Sequence, residues 1–138
     1  MYYIKSIMKN TIFKIIELLY YFSLLVLFIL YLYPGSLIGY FLYGNLGQQP
    51  NLIVNPIETS INHLIFFSYI TILAIIVRLR SKNNITNYKF ILFISVILEI
   101  SHLIIPNRAF EFYDLIANFT GVVIILLLNS FIKWRKYL

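Results

Sequence analysis

Glu99 and His102 lie three residues apart, and Asp114, Asn118 and Gly121 step by four and then by three. On helices, each of these sets shares one face. A carboxylate beside an imidazole can pass a proton to and from a bound group near neutral pH. Between the two sets the short stretch "PNR" carries Arg108, whose guanidinium offers a fork of donors to a carboxylate or a phosphate. The chemistry within reach is therefore recognition of a polar or anionic group by Glu99, His102, Arg108, Asp114 and Asn118, or acid–base transfer by Glu99 and His102. His63 and Glu111 are further candidates, and Gly121 is a position where a second helix can approach closely. No activated nucleophile accompanies the acid–base pair, so binding ranks above catalysis and no catalytic residue is assigned.

Several chemistries lack their parts. The chain has no cysteine, which removes disulfides, thiolate metal sites and a Cys nucleophile. It has no Gly-rich phosphate loop, CxxC, HExxH or GxSxG, and its two separated histidines give no metal-ligand spacing. Neither a metal nor a cofactor is expected from the sequence.

The elements that must position these groups follow from composition. Of 138 residues, 61% are hydrophobic and only 12% charged, and the mean hydropathy is +0.86. An ordinary soluble domain carries roughly 25% charged residues, so this composition belongs in lipid. In water a net charge of +6 would point toward nucleic acid. In a membrane the placement of the charges matters more, and no nucleic-acid partner is expected.

Four apolar runs fall at about 12–33, 61–77, 90–105 and 111–132, each near the roughly 20 residues that cross a hydrocarbon core. Glu99 and His102 interrupt the third. Ten of the eleven basic residues sit before or in the first turn of the first run, between the second and third, or after the fourth; Arg108 is the exception. That alternation predicts a single all-α domain over 1–138, a polytopic bundle of four transmembrane helices with both termini cytoplasmic. A cleaved signal peptide is the alternative for the first run, but that run exceeds the usual 7 to 15 apolar residues and lacks a small-residue cleavage motif. Glycines and prolines punctuate loop 34–58, which is too apolar to be freely solvated and is expected to lie in the interface or to re-enter between helices. With this topology Glu58, His63, Glu99, His102, Arg108, Glu111 and Asp114 all fall on the outer side. An ionisable group inside an apolar run costs about 2.5–3.5 kcal/mol at a helix centre, so these groups should face one another or water. The plainer alternatives are that Arg108 is a surface anchor paired with Glu111 or Asp114, and that the cluster only locks the helices.

The segment "ILEISHLIIPNRAFEFYDLIANFTG" resembles the second half of the VanZ-like family of small bacterial membrane proteins. Glu99, Pro106, Arg108, Asp114, Asn118 and Gly121 match the family pattern in identity and spacing, while His102 replaces the usual Gln. Earlier, "NLIVNP" and "INHLIFF" echo the family's "NLIPF" and "N..LLF.PLG", with Ser68 in place of Pro and Ile70 in place of Gly. The resemblance implies a multi-pass protein of the bacterial cytoplasmic (inner) membrane that acts in the cell envelope and affects susceptibility to teicoplanin-type glycopeptides. Its implied partners are membrane lipids, a lipid-linked envelope component or the glycopeptide itself. An enzyme acting on a lipid-linked envelope substrate and an accessory structural subunit are the alternative readings. The resemblance leaves the oligomeric state open.

Overall fold

A computed structural model describes residues 2–48, 60–81 and 83–135. Glu58, Lys82, Lys136 and the latter part of loop 34–58 lie outside the described residues. The chain is all-helical, with no strand among the described residues. Helix α1 covers Tyr2–Leu32, the short α2 covers Leu37–Tyr43, α3 covers Ser60–Arg78, α4 covers Tyr88–Ser101 and α5 covers Phe112–Arg135. A single 3-10 turn, Asn84–Thr86, precedes α4.

The helices are apolar on every side. On α1, Tyr20, Leu24, Leu27 and Tyr31 recur at helical spacing and are buried, while Leu18, Phe22, Leu25 and Ile29 on the other faces are exposed. A water-facing helix would carry polar residues at those positions. Among the described residues three segments, Asn10–Leu32, Ser60–Arg78 and Phe112–Arg135, are long and apolar enough to cross a membrane.

Helix α4 departs from the expected 90–105 run. It has 14 residues, roughly 21 Å at 1.5 Å per residue, and ends at Ser101. Beyond it the chain tightens, with His102 N bonded to Glu99 O at 3.1 Å and Ile104 N to Ser101 O at 3.1 Å. Pro106 keeps the chain from resuming the helix: it has no N–H to give and disfavours helical backbone at Ile105. Asn107 then turns the chain at φ 58°, a left-handed conformation that asparagine tolerates better than most residues.

Short polar links are capped locally. Ser36 Oγ accepts from Gly39 N at 2.9 Å at the start of α2, and Asn87 Oδ1 accepts from Lys89 N at 3.2 Å at the start of α4. Tyr20 OH donates to Ile85 O at 2.7 Å and ties the 3-10 turn to α1. The apolar core, including Leu27, Phe67, Ile70, Ile91 and Val122, fills the space between α1, α3, α4 and α5.

The closest helix approach is between α3 and α5. A Cβ on Gly121 would meet Leu64 O at 2.5 Å and Ser68 N at 3.2 Å, so the backbones touch where glycine has no side chain. Ser68 Oγ donates to Gly121 O at 3.2 Å across the same contact. Gly121 thus has the helix-packing role that its spacing suggests.

The two ends of the bundle differ in chemistry. At one end Arg80 donates to Asn10 Oδ1 and lies 4.9 Å above the Phe13 ring. At the other, the end of α1, the start of α3, the end of α4 and the start of α5 converge on a set of buried polar groups. Long helices consecutive in the chain therefore run antiparallel, while α3 and α5, which both begin at the polar end, pack side by side in parallel.

Candidate functional site

Tyr31 from α1, Ser60 and His63 from α3, Glu99 from α4, His102 from the turn that closes α4, and Asp114 and Asn118 from α5 make one hydrogen-bonded cluster. Glu99 and Asn118 are 0% exposed, Asp114 is 3% and His102 is 4%. Groups this deep need partners, because an unsatisfied buried polar atom costs about 1–3 kcal/mol. Among the described residues no buried side-chain N or O lacks one.

The carboxylates are each held from several directions. Ser60 Oγ donates to Asp114 Oδ1 at 2.5 Å, and His63 Nε2 lies 3.3 Å from Asp114 Oδ2. His102 Nδ1 lies 3.2 Å from Glu99 Oε1, which also accepts from Glu111 N at 3.2 Å. Asn118 Nδ2 donates to Glu99 Oε2 at 3.4 Å. Among the described residues, the ion-pair partners of both carboxylates are imidazoles.

Proton positions follow from the neighbours. Asn118 turns its amide nitrogen to Glu99, so its Oδ1 faces Tyr31, whose hydroxyl donates to it at 2.8 Å. A hydroxyl has one proton, so the 2.6 Å contact between Tyr31 OH and His63 Nδ1 has the imidazole as donor. His102 Nε2 lies 3.2 Å from Tyr31 O, and a carbonyl only accepts. Both imidazoles thus give one N–H to Tyr31 and turn their second nitrogen toward a carboxylate. Each of the two gaps, His63 to Asp114 and His102 to Glu99, must hold a positive species or a shared proton, since two lone pairs would otherwise meet. The ring of Tyr31 stacks on His102 at 5.4 Å and 19° and meets Phe67 edge-on, which fixes the hydroxyl between His63 and Asn118.

Arg108 lies at the same end but is not the link between carboxylates that its sequence position suggests. Its guanidinium donates to the carbonyls of Leu30 and, at 3.3 Å, Tyr33, two acceptors left open where α1 ends. Burial pulls its pKa below the ordinary value, against the raising influence of Tyr31 and Glu99. Glu111 joins the cluster through its backbone, and its side chain is exposed.

A cavity of about 210 Å³ opens beside the cluster. Leu27, Leu30, Leu37 and Phe66 form apolar walls, and His63, His102 and Arg108 border its polar side.

The structure brings together Glu99, His102, Asp114 and Asn118, as spacing suggests, and adds His63. It also recruits Tyr31 and Ser60, which sequence reasoning missed. Ser60 had one usable signal, its position at the first turn of a helix whose second turn carries His63. Tyr31 had none, being one of 12 tyrosines in the chain. Comparison with protein-family models, with curated proteins and with solved structures finds no match.

Proposed function

We propose that the chain is a four-span protein of VanZ-like type in the bacterial cytoplasmic membrane, and that it holds the polar or anionic head of an amphiphile at the outer leaflet. In this reading α4 and the turns through Ile105 make the fourth crossing, and the basic residues at the opposite end stay cytoplasmic. The observation that carries the proposal is the cavity: apolar walls from α1, α2 and α3 run up to a polar side formed by His63, His102 and Arg108. An acyl chain suits the first and a headgroup the second. At about 210 Å³ the space fits a headgroup or a length of chain far better than a whole glycopeptide, so an effect on glycopeptide susceptibility would act through an envelope lipid.

The test is binding of fluorescent phosphatidylglycerol, with phosphatidylcholine as control, to protein purified in detergent. Wild type should prefer the anionic lipid, Arg108→Ala should weaken that preference several-fold, and Leu30→Trp should block both lipids by filling the cavity. Equal binding by all three proteins would sink the reading.

A second reading is acid–base catalysis on a lipid-linked envelope substrate. It is favoured by the 3.2 Å contact of His102, which lines the cavity, with Glu99 buried behind it. Turnover of a lipid-linked substrate that disappears in Glu99→Gln would establish it.

A further inference from the structure

We propose that His63, Glu99 and Asp114 bind one divalent first-row transition-metal ion, of the class of Zn²⁺ or Mn²⁺. One ligand atom from each of these residues lies within 4.8 Å of the others, which a small closure of the side chains converts into a shared coordination sphere. The residues come from three different helices, α3, α4 and α5, so no motif in the sequence announces the set. Two oxygens and one imidazole nitrogen suit Zn²⁺, Mn²⁺ or Fe²⁺, whereas Ca²⁺ and Mg²⁺ favour oxygen alone.

Three independent features support an ion rather than a chance cluster. First, the hydrogen-bond pattern leaves His63 Nε2 with a lone pair facing Asp114 Oδ2 at 3.3 Å, a gap that an ion or a shared proton must fill and that has the separation of two ligands of one metal. Second, each ligand is already oriented by an outer partner, as metal ligands usually are. Tyr31 takes the Nδ1 proton of His63, Ser60 holds Asp114 Oδ1 at 2.5 Å, and His102 holds Glu99 Oε1 at 3.2 Å. These contacts turn Asp114 Oδ2 toward His63 Nε2 at 3.3 Å, and place Glu99 Oε2, which accepts from Asn118 Nδ2 at 3.4 Å, on the Nδ1 side of the same ring at 4.0 Å. Third, two carboxylates buried to 0% and 3% exposure gain most from a doubly charged neighbour, because low-dielectric surroundings strengthen that attraction. The cavity that borders His63 supplies a route for the ion.

The site does not depend on the lipid-binding reading. An ion can be bound by protein that shows no lipid preference, and a lipid can be held by protein that binds no metal. The experiment uses the full chain purified without a polyhistidine tag, stripped with EDTA, and dialysed against Zn²⁺ or Mn²⁺ at tens of micromolar. The expected result is one ion per chain, retained against a hundredfold excess of Mg²⁺. Asp114→Asn, Glu99→Gln and His63→Ala should each weaken binding at least tenfold. Because those variants test folding as well, pulsed electron paramagnetic resonance on wild-type protein loaded with Mn²⁺ provides a second readout, with nitrogen coupling from one imidazole expected. Wild type without a stoichiometric ion, an ion displaced by Mg²⁺, or a Mn²⁺ signal without nitrogen coupling would each overturn the proposal. A proton shared between His63 and Asp114 would then be the occupant of the gap.

Discussion

Ser60 Oγ donates to Asp114 Oδ1 at 2.5 Å, joining the first turn of α3 to the first turn of α5. This contact sits at the polar end of the most extensively packed helix pair, whose other anchor is the glycine contact two turns further along. Its loss should be felt as stability. Ser60→Ala should destabilise the folded protein by about 1–2 kcal/mol, the range for a hydrogen bond to a charged group after some relaxation. Thermal unfolding in detergent should show this as a lowered midpoint, and Ser60→Thr, which keeps a hydroxyl, should recover most of it. An unchanged midpoint in Ser60→Ala would mean that the contact carries no net energy.

Gly121→Ala tests the helix approach. The added methyl would meet the carbonyl oxygen of Leu64 at 2.5 Å, a backbone atom that cannot swing aside. Overpacking of this kind costs about 1–3 kcal/mol, and Gly121→Leu should cost more. Unfolding midpoints should therefore fall in the order wild type, Ala, Leu, and an Ala variant as stable as wild type would refute the close contact.

Tyr31→Phe removes a hydroxyl while keeping the ring that packs on His102 and Phe67. Asn118 Oδ1 loses its 2.8 Å donor and His63 Nδ1 its 2.6 Å partner, so a loss of about 1–3 kcal/mol is expected. If the cluster is only a structural lock, variants of this kind should lower stability and leave the activity of the surviving folded protein intact. If it is a site, lipid or metal binding should fall further than stability does. Measuring both on the same samples separates the two.

The four-span topology is open to a direct test because the chain has no cysteine. Single cysteines at Asn45, Asn83 and Asn107 can be labelled from one side of the membrane with an impermeant maleimide. Asn45 and Asn107 should label from outside and Asn83 from inside. Labelling of Asn107 together with Asn83 would show that α4 does not cross.

Spacing alone grouped Glu99 with His102 and Asp114 with Asn118, because residues three or four apart share a helix face whatever the helix packs against. The same reasoning put His63 on one side with Glu99 and Asp114 but did not name its partners. The contacts of His63 with Asp114 and of Tyr31 with Asn118 span large sequence separations and depend on the rotation and register of whole helices. Those in turn rest on details such as the glycine at 121 and the serine at 68. The alternative pairing of Arg108 with Glu111 or Asp114 gives way to backbone carbonyls for a related reason. The nearest carboxylates in sequence looked like its natural partners, yet the open carbonyls at the end of α1 lie within reach only once α1 and the turn after α4 are packed together. The end of α4 was legible only in part: Pro106 marks the limit, but the tightening after Ser101 comes from burying His102 against Tyr31.

The shortness of α4 has a consequence for the surrounding lipid. Its 14 residues give roughly 21 Å of regular helix, where the 24 residues of α5 beside it give roughly 36 Å. In the four-span reading the perimeter of the bundle is thus uneven in height, and acyl chains flanking α4 would have to shorten, tilt or admit water to match it. Such hydrophobic mismatch costs a fraction of a kcal/mol for each ångström. A bilayer thinned on one side of the molecule would bring the aqueous phase down toward Glu99 and His102, and would draw the protein toward thinner membrane regions.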